Sequence, residues 1–112
     1  MGVSKVSALR EIRPFEGVSL RVSSGERGML SFVYFEPGGV VPPHSHPHEQ
    51  MGVALEGSFE LTIGDETRVV QEGDIWHIAP NVVHSARAMG EKAAALDIFV
   101  PPREDYAALA KD

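Results

Sequence analysis

Residues 39–57 read GVVPPHSHPHEQMGVALEG, and residues 73–84 read GDIWHIAPNVVH. These two stretches hold all five histidines of the chain: His44, His46 and His48 in the first, His77 and His84 in the second. Side chains two apart on an extended segment point the same way, so His44 and His46 can face one point. Gln50 shares their parity, with Pro47 between. Glu49 has the opposite parity and points away from the two histidines while the segment stays extended; it reaches them only if the loop twists. Imidazoles buried together must find partners for their polar rings. A divalent metal is one such partner, and imidazole suits zinc, nickel, copper, iron and manganese to different degrees. Taken alone, the His44/His46 pair fits exposed loop histidines in a Pro-rich turn equally well.

Outward from these stretches the chain breaks into short strand-like runs. Val18, Leu20 and Val22 alternate with Ser19, Arg21 and Ser23, the pattern of a half-buried strand. Residues 29–35 are rich in aromatic and β-branched side chains, and residues 40–46 form a short segment broken by prolines. Further strands are predicted over 50–55, 58–63, 67–71, 75–78, 84–88 and 93–100, separated by Gly-, Pro- and Asn-containing turns. Residues 103–111 predict a short helix whose Glu104 and Asp105 lie near its N-terminus, where the helix dipole favours them. The 11 Gly and 8 Pro are spread along the chain rather than massed in a linker. Eight or nine strands and one late helix make an all-β sandwich or barrel. In so few residues a closed or nearly closed barrel best removes strand edges.

A chain of 112 residues is one domain with room for one core. The absence of cysteine excludes disulfides, Cys-ligated zinc, iron–sulfur clusters and a thiol nucleophile. A net charge of −6 argues against nucleic acid and anionic membrane as partners. No apolar run reaches the length of a transmembrane span. The N-terminal stretch lacks the pattern of a secretory signal, so a soluble cytoplasmic protein is expected.

The spacing of Gly39, His44, His46, Gln50 and Gly57, then Gly73, Pro80 and His84, resembles the two motifs of the cupin superfamily. That resemblance implies a small jelly-roll-like β-barrel as a single domain over 1–112, with an N-terminal arm at 1–17, the barrel at 18–100 and a C-terminal helix at 103–111. It also implies that His44, His46, Gln50 and His84 converge on a divalent transition metal (zinc, nickel, manganese or iron). Gln50 departs from the pattern, since most cupins carry Glu there. Three imidazoles and an amide leave a divalent site at +2 rather than +1, a stronger Lewis acid that binds its metal more weakly. His48 is expected at a loop or rim. His77 is expected to be a satisfied structural histidine, with Trp76 beside it as a pocket residue.

Residues 93–100, AAALDIFV, form an apolar strand with one charge. Asp97 and Phe99 share one face; Leu96, Ile98 and Val100 share the other. A carboxylate there must be paired, solvated or near a metal. It either faces the barrel mouth with Phe99, or is exposed at an edge, or pairs with Arg87 or Arg103. Arg103 at the first turn of the helix is opposed by the dipole. That points to gripping an anion, or to pairing with Glu104 or Asp105.

HSHPHEQ, Gln50 and DIFVPPREDY together are similar to the cupins that linearise unsaturated uronates in pectin and alginate breakdown, the KdgF type. The resemblance implies Asp97 as general acid/base, Arg103 as the grip on the substrate carboxylate, and Phe99 as an apolar wall. The implied substrate is an anionic sugar acid, a 4,5-unsaturated uronate that opens to a 5-keto acid. The cupin motifs alone fit two other classes, a three-His iron oxygenase and a non-catalytic small-molecule-binding module. A homodimer is expected, because small cupins often pair and residues 6–15 have little other place to pack.

Overall fold

The computed structural model describes residues 2–111. A 3-10 turn, Val6–Ala8, leads into β1 (Glu11–Phe15), β2 (Val18–Ser24), β3 (Met29–Phe35), β4 (Val40–His44) and β5 (Glu49–Glu56). Then come β6 (Ser58–Ile63), β7 (Glu66–Gln71), β8 (Ile75–Ile78), β9 (His84–Ala88), β10 (Ala93–Val100) and the helix α1 (Glu104–Leu109). No helix among the described residues is long and apolar enough to cross a membrane.

The strands form two antiparallel sheets, ordered β1-β2-β3-β10-β5-β8 and β4-β9-β6-β7. They face each other as a jelly-roll-like sandwich. This corrects the expectation of a closed barrel: among the described residues no strand pairing joins the two sheets. The edges are blunted by sequence instead. Pro14 in β1 and Pro42 and Pro43 in β4 lie on edge strands, the place where a missing N–H is tolerated. The edge strand β8 has only four residues. The edge strand β7 is mostly polar and exposed.

The arm expected over 1–17 is also corrected in part. Its residues 11–15 are a strand, pairing with β2 through Ile12↔Leu20 and Phe15↔Val18 across an irregularity. A proline within the run, Pro14, is compatible with a strand only because β1 lies at the sheet edge.

Register organises the interior of the six-stranded sheet into rows. Leu20, Val33, Ala95 and Ala54 form an apolar row. Beside it lie Val22, Ser31, Asp97, Gly52 and Trp76, and then Met29, Phe99, Gln50 and Ile78. The apolar end is closed by aromatics: the Phe35 and Phe59 rings stack at 5.1 Å, and Trp76 meets Phe59 edge-on at 5.6 Å. Phe59 is 2% exposed, which stabilises the sandwich by roughly 2–3 kcal/mol. The turn from β5 to β6 needs Gly57, whose φ is +68° and whose place a Cβ would contest with the Lys92 carbonyl at 2.4 Å.

Candidate metal centre

At the other end of the interior, His44 closes β4 and His84 opens β9, and the two are cross-strand partners. His46 lies in the bend after β4. Its carbonyl accepts a 2.8 Å hydrogen bond from the Asn81 N–H, so the second motif docks onto the first. Asn81 takes this place with φ 68°, a left-handed conformation that Asn tolerates. The rings of His44 and His84 lie 4.3 Å apart, and His46 and His84 5.0 Å. One ring nitrogen from each of His44, His46 and His84 falls within 4.8 Å of the others, a group able to hold a metal ion.

Two of the three rings are oriented by the backbone. His44 Nδ1 donates to the Pro42 carbonyl and His84 Nδ1 to the Val82 carbonyl, each at 2.9 Å. Both bonds leave Nε2 as the unprotonated nitrogen, the arrangement metal-binding histidines use. His84 Nε2 is buried and has no hydrogen-bond partner, so the site fits a cation there. Gln50 Oε1 sits 3.1 Å from His46 Nε2. That is about the separation of two adjacent ligands bound at roughly 2.1 Å to one ion.

Burial holds all three imidazoles below the ordinary histidine range, as ligation requires. For His46, burial and then the Arg103 cation bring the pKa to about 4.

Asp97 is buried on β10, which runs between β3 and β5 and is no edge. Its Oδ1 accepts a 2.9 Å hydrogen bond from Trp76 Nε1, and Gln50 bonds to its carboxyl as well. Burial lifts its pKa to about 6, against the pull of those two bonds and of the Arg103 charge. Gly52 makes the arrangement possible. A Cβ there would stand 2.3 Å from Trp76 Nε1 and 2.4 Å from Asp97 Oδ1. Arg87, one expected partner of Asp97, instead bonds Glu60.

Arg103 is 8% exposed. Its guanidinium carbon lies 5.2 Å from the Phe99 ring centre and 3.9 Å from that of Tyr106. Asp105 accepts from Nε at 3.3 Å and from Nη2 at 2.9 Å. So the pairing expected as an alternative is present, but the arginine is buried between aromatics rather than spread on the surface. Phe99 also meets His46 edge-on at 5.5 Å. His44, Gln50, Trp76, Asp97, Phe99 and Arg103 all line one cavity between the sheets.

His48 lies in the loop between β4 and β5, as expected, but is buried there rather than at a rim, and it bonds Glu104 at 2.8 Å, tying the motif to α1. Glu49 faces outward and bonds the exposed His77 at 2.7 Å, away from the cluster. Ser31 and Tyr106, which sequence reading did not single out, line the same cavity. Ser31 could have been noticed as a hydroxyl breaking the inward series Met29, Val33, Phe35. Tyr106 carried no signal, because it reaches the cavity only by the docking of α1.

A family model described as a cupin domain matches residues 31–101. The chain is 33% identical over 79 residues to the pectin degradation protein KdgF of Dickeya dadantii, spanning 70% of this chain and 72% of that one. It is 37% identical over 67 residues to an H2HPP isomerase of Bacillus subtilis, spanning 58% of this chain and 28% of that one. The solved structure of KdgF from Halomonas sp. superposes with a TM-score of 0.81 at 27% identity, covering 87% of this chain and 90% of that one.

Proposed function

From membership of the cupin domain family, to which this chain belongs, we propose that the protein opens 4,5-unsaturated uronates to 5-keto sugar acids. The single observation that carries the reading is Asp97, a buried carboxyl that lines one cavity with His44, His84 and Arg103. The likeness to a pectin degradation protein supports a substrate from pectin breakdown. The isomerase relative belongs to a reaction class without net redox change, as the proposed reaction requires.

The substrate is a cyclic enol ether bearing a carboxylate and a hemiacetal. Arg103 takes the carboxylate in two-point fashion with the N–H donors that Asp105 does not use. Phe99 and Trp76 wall the ring. Asp97, with a pKa of about 6, accepts the proton of the anomeric hydroxyl. The C1–O5 bond breaks as C1=O forms, and its electrons pass to O5, leaving an enolate over O5, C5 and C4. The carboxyl of Asp97 then returns the proton to C4, and C5=O completes the ketone. Bonds and charge balance with no oxidant. A divalent metal held by His44, His46, Gln50 and His84 would supply Lewis-acid polarisation of a substrate oxygen. Zinc, nickel, manganese and iron all suit this donor set.

The same reading includes a homodimer. The outer face of the six-stranded sheet exposes Leu30, Met51, Leu55 and Ile75, an apolar patch that a second copy would cover.

The test follows loss of the ultraviolet absorbance of unsaturated monogalacturonate with metal-loaded protein. The wild type is expected to outrun the spontaneous reaction, and Asp97→Asn to lose turnover by about a thousandfold. No acceleration by the wild type sinks the proposal. Oxygen uptake in the same samples would favour the iron oxygenase. Binding without turnover would favour the non-catalytic module.

A further inference from the structure

Ser31 is 1% exposed, and its Oγ has no hydrogen-bond partner. It sits on the inner face of β3 among Met29, Val33 and Phe35, with Val22 as its cross-strand neighbour on one side and Asp97 on the other. It lines the same cavity as Asp97, Gln50 and His84. A buried hydroxyl without a partner is destabilising, so its place in an apolar wall calls for a ligand that completes it.

We propose that Ser31 forms a neutral subsite that takes a ring hydroxyl of the substrate beside Asp97, which makes it a specificity-determining residue. The inference rests on the uronate reading. The register places Ser31 directly opposite Asp97, where cross-strand Cβ atoms stand about 4.5–5.5 Å apart. One ring can therefore meet both side chains. A carboxylate is disfavoured at this position by its immediate neighbours: Asp97 is acidic, and Val22, Met29 and Val33 are apolar. Arg103 lies against Phe99 and His46 against Gln50, in the neighbouring row of the sheet, and these take the anionic and metal-directed ends of the ligand. A neutral hydroxyl, able to donate and accept, is the group that Ser31 matches.

The experiment compares wild type, Ser31→Ala and Ser31→Cys on unsaturated monogalacturonate and on its 2-deoxy and 3-deoxy counterparts, with thermal melting of each metal-loaded protein. Ser31→Ala is expected to lower kcat/KM about tenfold on the full substrate and to leave one deoxy counterpart unaffected. Its melting temperature should equal or exceed that of the wild type. Ser31→Cys keeps the side-chain shape with a slightly larger atom and a weaker donor, should fall between the two, and carries the test if Ser31→Ala does not fold. Equal losses on all three substrates, or a lowered melting temperature with unchanged kinetics, would overturn the subsite and leave the uronate reading intact. A wild type that does not act on the uronate removes both.

Discussion

On the four-stranded sheet, His44 and His84 each fasten their ring to a carbonyl only two residues back, Pro42 and Val82. On the six-stranded sheet, Asp97 is fastened by Trp76, 21 residues away in the chain, and by Gln50, two strands being needed to bring the donors to it. The first wall is built from local backbone geometry and depends on burial to keep its imidazoles neutral. The second is built from register, and Gly52 is the gap through which the indole reaches the acid. The difference implies that the two walls should fail largely separately, with Gln50 joining them.

The largest separation is expected from Gly52→Ala. A methyl group there meets both Trp76 and Asp97, and overpacking of this kind destabilises by about 3 kcal/mol. Urea unfolding should show that loss, together with collapse of turnover, while metal affinity stays within a few fold. A variant as stable as the wild type would break the claim that register spacing constrains this wall.

His84→Ala is the reciprocal probe. Removing one imidazole should weaken metal binding by about a hundredfold, or roughly 2.7 kcal/mol, read by competition with a chelator. Indole fluorescence of Trp76, the chain's one tryptophan, should barely change because its partner Asp97 is on the other wall. A large fluorescence change would mean that the walls are coupled.

The smallest effect is the pH dependence of the metal-free protein, where the walls act with opposite sign. Burial holds the folded imidazoles below the ordinary histidine pKa of 6.5, with His46 at about 4. Below pH 6.5 the unfolded chain therefore takes up protons that the folded cluster refuses, and stability falls toward pH 4. Asp97 is raised from 3.8 to about 6, so between those values the folded state holds the extra proton and gains stability as pH falls. Three groups outnumber one, and the net expectation is destabilisation on acidification. Asp97→Asn removes the offset and should steepen the decline between pH 6 and pH 4 in denaturant midpoints. An unchanged slope would show that Asp97 does not titrate in this range.

Much of this was legible beforehand because it is periodic or punctuated. Period-2 alternation marked β2 and β6, and Gly57 marked a turn that needs a positive φ. The parity of His44, His46 and Gln50 set them on one side, and that of Glu49 set it on the other, where it meets His77. Less was legible where a long-range partner changes the meaning of a residue. Residues 11–15 read as part of an arm until β1 proved to be an edge strand paired with β2. His48 read as a rim residue until Glu104, 56 positions on, proved to hold it. Tyr106 had no marker at all, since only the docking of α1 sets its ring against Phe99.

The amino-acid sequence by itself determined the all-β class and which residues share a face, His44 with His46 and Gln50, and Asp97 with Phe99. These follow from side-chain alternation and from residue types that admit few backbone conformations. The tertiary structure decided that the sheets stay open as a sandwich, that Asp97 is reached by Trp76 across Gly52, and that Ser31 faces the same cavity. Those outcomes depend on which strands become neighbours and in what register. That is a balance of many weak cross-strand contacts summed over the whole sheet, and no single stretch of chain carries it.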